Sequence, residues 1–310
     1  MDNYIKNLAY AISNGSMENT YKMAWIRSLV DFSIFNPNKK QVLFNDLSKY
    51  IFGYYWNQTI FFKLEQGPNL NKRPKIHQMV INAIDRFQKT NGYKPIYFEK
   101  AEKRIEFNLE EISGVLSENV CWRFPKVDER EFDFYKLDLE NHKLELHRPD
   151  LLNEYSEILY ELINYRWTQK LEELNTSPRI AQKVRGTGRG KIKRKPLRKY
   201  KEYLDLTNPK RISFISGNPI REPDLSIDHV IPWSYLYSDD LWNLVYVDKG
   251  ENSSKSNRIP NEKMIRKLED RNKKLLREMT IKGVTGKVAN EFRLAIDNNY
   301  VEKFWVSFKG

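Results

Sequence analysis

Residues 225–260 read LSIDHVIPWSYLYSDDLWNLVYVDKGENSSKSNRIP, and their pattern predicts a small unit of two strands and a helix. Apolar residues on both sides of Asp228 and His229 predict a short strand, and LWNLVYV at 241–247 predicts a second one. The residues between them form a long hairpin loop. Small polar residues at 252–257 predict a turn into a short helix. Polar side chains are therefore concentrated at one end of a strand–loop–strand–helix unit.

The polar residues of this stretch match the needs of phosphodiester hydrolysis: a base for water, a cation, and a group that holds the phosphate. His229 suits the base because the pKa of histidine lies near working pH. Asp228 and the side-chain oxygen of Asn252 are ligands that a hard cation such as magnesium prefers. Asn243 is expected to fix the imidazole tautomer, and Lys255 to approach a phosphate. Residue types alone are weak support for a catalytic site, since an isolated Asp-His pair is more often a structural contact.

The spacing resembles the motif of the HNH (ββα-metal) endonucleases, and it is most similar to the HNH domain of the CRISPR RNA-guided nucleases. The shared positions run in the same order without a gap: Asp228, His229, Pro232, Asp239, Asp240, Asn243, Asn252, Lys255, Ser256 and Pro260. The resemblance implies that Asp228 and Asn252 bind Mg²⁺ or Mn²⁺, that His229 is the general base and that Asn243 orients it. The chain is too short to hold a guide–DNA duplex, and as a whole it resembles a restriction or defence-type HNH endonuclease.

One departure from the family concerns zinc. Many HNH proteins carry two CxxC pairs around the site, whose places here are taken by Ser213, Ser216, Asp248 and Glu251. Cys121 is the only cysteine, so the sequence excludes an internal disulfide and a Cys-based zinc cage. We therefore expect no structural zinc, with packing and hydrogen bonds holding this region instead.

A strongly basic segment precedes the motif. Residues 183–201 read KVRGTGRGKIKRKPLRKYK, in which ten of nineteen residues are Lys or Arg and none is acidic. Three glycines make it flexible, and such a strap suits contact with a phosphate backbone; a solvated linker without a partner is the alternative. The expected nucleic-acid-binding residues are Lys183, Arg185, Arg189, Lys191, Lys193, Arg194, Lys195, Arg198 and Lys199.

The whole chain is predicted to be an α+β protein. Residues 1–118 form a mostly helical region for target recognition or docking, with helices near 46–56 and from Pro74 onward. Residues 119–182 combine a small antiparallel sheet, built from NVCWRF, FDFYKLD and KLELHR, with a long helix from Pro149 to about residue 174. Residues 183–211 are a basic connector, and residues 212–310 are the HNH unit with a helical tail.

Charge and hydropathy narrow the function classes. The net charge of +12 favours a nucleic acid over an anionic membrane surface, and no apolar run reaches about 18 residues. The N-terminus lacks a signal-peptide pattern, so a cytoplasmic location is expected.

The leading hypothesis is a metal-dependent endonuclease acting on double-stranded DNA in restriction or anti-phage defence. The alternatives are a homing or mobile-element HNH nuclease, an effector nuclease activated by a partner protein of a defence system, and a catalytically silent DNA-binding protein. Cutting of two strands by one site per chain requires a homodimer or two successive events.

Overall fold

The computed structural model describes residues 2–37, 39–186, 196–255 and 258–309. The chain divides into two compact units. The N-terminal unit comprises Met1–Gly92, Ile96–Asn175 and Ile180–Lys191, and the C-terminal unit comprises Tyr93–Pro95, Thr176–Arg179 and Ile192–Gly310. Helices dominate and small antiparallel sheets complete the fold, which confirms the predicted α+β class. None of the helices in the described ranges is long and apolar enough to cross a membrane.

The N-terminal unit is built on two central helices that are buried on most sides, α2 and α3. Its helices are α1 (Asn3–Asn14), α2 (Tyr21–Phe35), α3 (Phe44–Phe62), α4 (Lys75–Asn91), α5 (Phe98–Ala101), α6 (Leu109–Val115), α7 (Cys121–Arg123), α8 (Pro149–Glu154), α9 (Ser156–Leu174) and α10 (Ile180–Gly186). The helices predicted near 46–56 and after Pro74 are confirmed as α3 and α4. The long helix predicted from Pro149 is interrupted at Tyr155, which separates α8 from α9.

A three-stranded antiparallel sheet ties distant parts of this unit together. Its strands are β1 (Gln41–Leu43), β4 (Tyr135–Asp138) and β5 (Lys143–Leu146), in the order β1-β5-β4. A separate two-stranded sheet pairs β2 (Lys126–Val127) with β3 (Arg130–Glu131). The pairing of β1 with β5 joins residues 41–43 to residues 143–145 within the N-terminal unit.

One predicted strand of this sheet is wrong. NVCWRF at 119–124 is helical, with one turn of wide helix leading into α7. Val120, Cys121 and Phe124 are buried there, a spacing that fits a helix face rather than the alternation of a strand. The carbonyl of Cys121 accepts a hydrogen bond from the Tyr135 hydroxyl at 2.6 Å, which fixes this helical turn against β4.

The C-terminal unit places a two-stranded sheet against helices. Its elements are α11 (Lys201–Asp205), β6 (Leu225–His229), α12 (Trp233–Leu236), β7 (Leu244–Asp248), α13 (Lys249–Lys255), α14 (Glu262–Ile281), α15 (Lys287–Asp297) and α16 (Tyr300–Lys309). The predicted helical tail is thus confirmed as α14 to α16. Apolar residues of β7, α12 and these three helices form one continuous core, which gives the short sheet a rigid base.

Ser213, Ser216, Asp248 and Glu251, the four positions predicted to stand in place of cysteine pairs, are linked by hydrogen bonds. The Ser213 hydroxyl donates to the Glu251 carboxylate, and the backbone N–H of Asp248 donates to the same oxygen at 3.4 Å. The backbone N–H of Ser216 donates to the Ser213 hydroxyl at 3.4 Å. Burial would raise the pKa of Glu251, but the hydrogen bonds from Ser213 and Ser216 outweigh it and lower that pKa. We call these four residues the Glu251 clasp.

Removing the Ser213 hydroxyl should weaken the C-terminal unit. Ser213→Ala removes one hydrogen bond to the Glu251 carboxylate, which is partly exposed and keeps the N–H of Asp248, so we expect a loss of about 1 kcal/mol in the free energy of unfolding, measured by urea titration. Ser253→Ala on the exposed side of α13 is the matched control and should change stability by less than about 0.5 kcal/mol. Equal stability of the two variants would contradict a structural role for the clasp.

His77 in α4 should make the N-terminal unit sensitive to mild acid. Burial lowers the pKa of His77 to about 4, against the opposing pull of Glu65, so the neutral ring is favoured in the folded chain. In the unfolded chain His77 takes up a proton at the ordinary pKa of 6.5. The free energy of unfolding is therefore highest above pH 6.5, and it falls by about 3 kcal/mol in total as the pH drops toward 4.

The test compares unfolding free energies between pH 7 and pH 4 for wild type and His77→Gln. The variant keeps a polar partner for the Thr59 hydroxyl, which lies 3.1 Å from His77 Nε2, but it does not titrate. Its stability should therefore depend less steeply on pH, whereas His147→Gln, at a partly exposed histidine, should follow wild type. Parallel curves for all three proteins would overturn the assignment to His77.

Candidate active site

The site is built at the end of the β6–β7 hairpin. The two strands pair antiparallel, with Asp228 opposite Val245 and His229 opposite Leu244. The helix α13 follows β7 directly and packs against both strands. The predicted strand–loop–strand–helix order is therefore present, with the helix beginning at Lys249, three residues before the predicted turn. This arrangement brings the C-terminal end of β6 beside one face of the helix.

Asp228, Asn252 and Lys255 are brought together by α13. Lys255 Nζ donates to Asp228 Oδ2 at 2.5 Å and also to the carbonyl oxygen of His229. Asn252 lies one turn earlier on the helix, and its Nδ2 donates to the Ser226 hydroxyl at 3.3 Å. Ser226 and Asp228 are two residues apart on β6 and so share a face of the strand. The helix thus presents an amide and an ammonium to the face of β6 that carries Asp228.

The chemistry of this donor set fits a hard divalent cation. A carboxylate from Asp228 and an amide oxygen from Asn252 are ligands that magnesium accepts when waters and phosphate oxygens complete its shell. The ammonium of Lys255 lies against the same carboxylate, so a cation bound here would share Asp228 with Lys255. No group of three His, Cys, Asp or Glu side chains in the described ranges is arranged for a metal, so a cation here would depend on these two residues and on non-protein ligands.

His229 points toward the loop between the strands. Its side chain is only 6% exposed, and Nε2 lies 3.1 Å from Asp239 Oδ1. Burial raises the pKa of Asp239, but the hydrogen bond and the charge of His229 outweigh it and lower that pKa. The imidazole is therefore partnered by a carboxylate that reaches it from ten residues further along the chain.

Asn243 binds the backbone rather than the imidazole. Its side chain is fully buried; Oδ1 accepts from the N–H of Ile231 at 2.8 Å, and Nδ2 donates to the carbonyl of Ile231 at 2.7 Å. The N–H of Val230 donates to the carbonyl of Asn243 at 2.9 Å. The contact expected between Asn243 and His229 is thus replaced by a backbone clamp, because both polar atoms of the amide are used by Ile231.

Residues 214–261 match the family model for HNH endonucleases, which spans β6, β7 and α13. The chain carries an HNH endonuclease domain. This finding confirms the resemblance seen in residues 228–260 and identifies a nuclease domain within the C-terminal unit. No curated protein and no solved structure matches the chain. The comparisons leave the N-terminal unit without a family.

The basic residues expected to contact phosphates fall into three groups. Lys183 is fully buried, and its ammonium lies 5.8 Å from the centre of the Phe62 ring, so we leave it out of any phosphate-binding surface. Arg185 is exposed and pairs with Glu161. Arg198 and Lys199, just before α11 of the HNH unit, are exposed. The others lie outside the described residues: Arg189, Lys191, Lys193, Arg194 and Lys195.

Asp239 is the site residue that sequence reasoning missed. The sequence did contain a signal for it, because Asp239 and Asp240 are among the positions shared with the HNH motif. The sequence pattern assigned no role to this acidic pair. Its position depends on the loop. Tyr237 adopts a left-handed backbone with φ of 57°, and this turn at the end of α12 redirects the chain so that Asp239 faces His229.

Asn243→Ala should lower the stability of the HNH domain, and not only the rate of DNA cleavage. It leaves the buried N–H and C=O of Ile231 without partners, so we expect a loss of about 3 kcal/mol in the free energy of unfolding, measured by urea titration. Asn298→Ala, at an exposed helix end, is the control and should cost less than about 0.5 kcal/mol. If Asn243→Ala keeps its stability but loses cleavage, the result would instead support the expectation that Asn243 orients the His229 imidazole.

Proposed function

We propose that the protein is a metal-dependent DNA endonuclease of restriction or anti-phage defence, with His229 as general base and one divalent cation. The observation that carries the proposal is the cluster at the end of β6 in a segment that matches the HNH family. Within it, Asp228 is bonded to Lys255, and His229 follows directly with a buried imidazole. A base, a cation-binding carboxylate and an ammonium at one place are the parts that phosphodiester hydrolysis needs.

In the proposed mechanism, His229 takes a proton from the water that attacks the scissile phosphorus. Asp228 and Asn252 would hold Mg²⁺ or Mn²⁺. A bound divalent cation supplies stabilisation of the negative charge that develops on the phosphate and the leaving oxygen. Lys255 has three N–H donors, two of which are directed to Asp228 and to the carbonyl of His229. The third donor is suited to a phosphate oxygen.

The first test is cleavage of supercoiled plasmid by the purified full-length protein with magnesium, with manganese and with EDTA. We expect metal-dependent cutting that EDTA abolishes, and a loss of at least about 100-fold in rate for His229→Ala, because a general base contributes that much. His142→Ala, in the N-terminal unit, is the matched control and should cut like wild type.

Discrete product bands would favour the restriction-type specificity that we propose, whereas a smear would exclude it. The absence of cutting by wild type under every metal would overturn the stand-alone enzyme. Full activity of His229→Ala would overturn the assignment of the base while leaving the nuclease intact.

We also propose that the basic connector binds the DNA backbone. Replacing Arg189, Lys191, Lys193 and Arg194 with Gln should weaken binding to all duplex sequences alike and reduce the slope of log K against log salt by about 0.9 for each phosphate that is no longer neutralised. A variant with Lys263, Lys282, Lys287 and Lys303 changed to Gln removes the same charge from exposed positions of the C-terminal unit. Equal slopes for the two variants would show that net charge alone governs binding.

A further inference from the structure

We infer that Asp239 is the positioning residue that holds the His229 imidazole in the tautomer required for general-base catalysis. The inference rests on the proposed function, because it assigns a partner to the proposed base. It is carried by the 3.1 Å contact between His229 Nε2 and Asp239 Oδ1, made between side chains that are only 6% and 17% exposed. Asn243, the residue expected to orient the ring, binds Ile231 instead.

The direction of this hydrogen bond follows from the chemistry of its two partners. An ionised carboxylate only accepts, so Nε2 of the imidazole must be the donor. A neutral imidazole that carries its proton on Nε2 has a lone pair on Nδ1. Asp239 therefore leaves Nδ1 as the atom that takes the proton from water, and it stabilises the imidazolium that results.

The loop that carries Asp239 is held firmly enough to position a ring. The backbone carbonyl of Asp239 accepts a hydrogen bond from the hydroxyl of Tyr200, which is itself buried in the core of the unit. Its neighbour Asp240 faces elsewhere: Oδ2 accepts from the Ser238 hydroxyl at 2.6 Å, and Oδ1 lies 3.9 Å from Arg179. The two adjacent carboxylates thus have different partners, and only Asp239 contacts His229.

This difference provides a matched pair of variants. Asp239→Asn and Asp239→Ala in the full-length protein should lower kcat for plasmid cleavage 10- to 100-fold, as removal of a residue that orients a catalytic histidine does, with KM for DNA changed less than about twofold. Asp240→Asn removes the same charge one residue away and should cut like wild type. Thermal unfolding identifies any variant that does not fold, and the near-isosteric Asp239→Asn remains informative if Asp239→Ala does not fold.

A second measurement reports the tautomer of the His229 imidazole directly. The chain has four histidines, so ¹⁵N labelling of histidine gives a simple spectrum in which His229→Ala identifies the His229 signals. We expect a protonated Nε2 and a bare Nδ1 in wild type and Asp240→Asn, and a mixture of tautomers in Asp239→Ala.

The inference is overturned by a wild-type ring protonated on Nδ1, by unchanged kcat in Asp239→Ala, or by a fall in kcat with no change of tautomer. If wild type cuts no DNA with any metal, the proposed function fails. The nitrogen spectrum then decides separately whether Asp239 fixes the ring.

Discussion

The buried amide of Asn243 binds both polar groups of one backbone residue, Ile231, and the geometry of the site depends on that pairing. A buried N–H and C=O must find partners, and here the chain has just left the β6–β7 ladder. Satisfying both groups with one side chain fixes the path immediately after His229. Arg271 and Asn272 of α14 donate to the carbonyls of the turn that carries Asn243, which joins this clamp to the helical core.

A second set of bonds holds α13, the helix that supplies half of the polar groups. Glu251 is bonded to Ser213, which lies in the turn closed by the Ile212–Pro219 bridge, while Asn252 and Lys255 face β6. Residues of one short helix therefore have different roles: Glu251 holds the helix in place, and Asn252 and Lys255 contribute polar groups to the candidate site. A helix of seven residues has little stability alone, so contacts at both of its faces are what place the amide and the ammonium.

Sequence patterns predicted the elements whose burial is periodic, such as α3, α4 and the β6–β7 unit, because one-sided burial leaves a repeat in the sequence. They failed at residues 119–124, where a short apolar run fits strand and helix equally and packing against Tyr135 selects the helix. They predicted Asp228, His229, Asn252 and Lys255 as site residues from type and spacing, and these roles stay predictions. They could not assign Asp239 or the true partner of Asn243, since both depend on how an eleven-residue segment (230–240) folds back, and loop paths leave no periodic signal.

Asp228 and His229 are neighbours in sequence, yet their side chains find partners in different elements, α13 for the first and the loop for the second. The cause is the strand itself, because successive side chains of a strand point to opposite faces. In the proposed mechanism this separation suits in-line displacement, in which the attacking and leaving oxygens lie on opposite sides of phosphorus. His229 would then act on the water on one side, and Asp228 would help to hold the cation that stabilises charge on the other. An Asp-His dipeptide at the end of a strand thus directs two neighbouring side chains to opposite faces, where each can serve a different step of the proposed reaction.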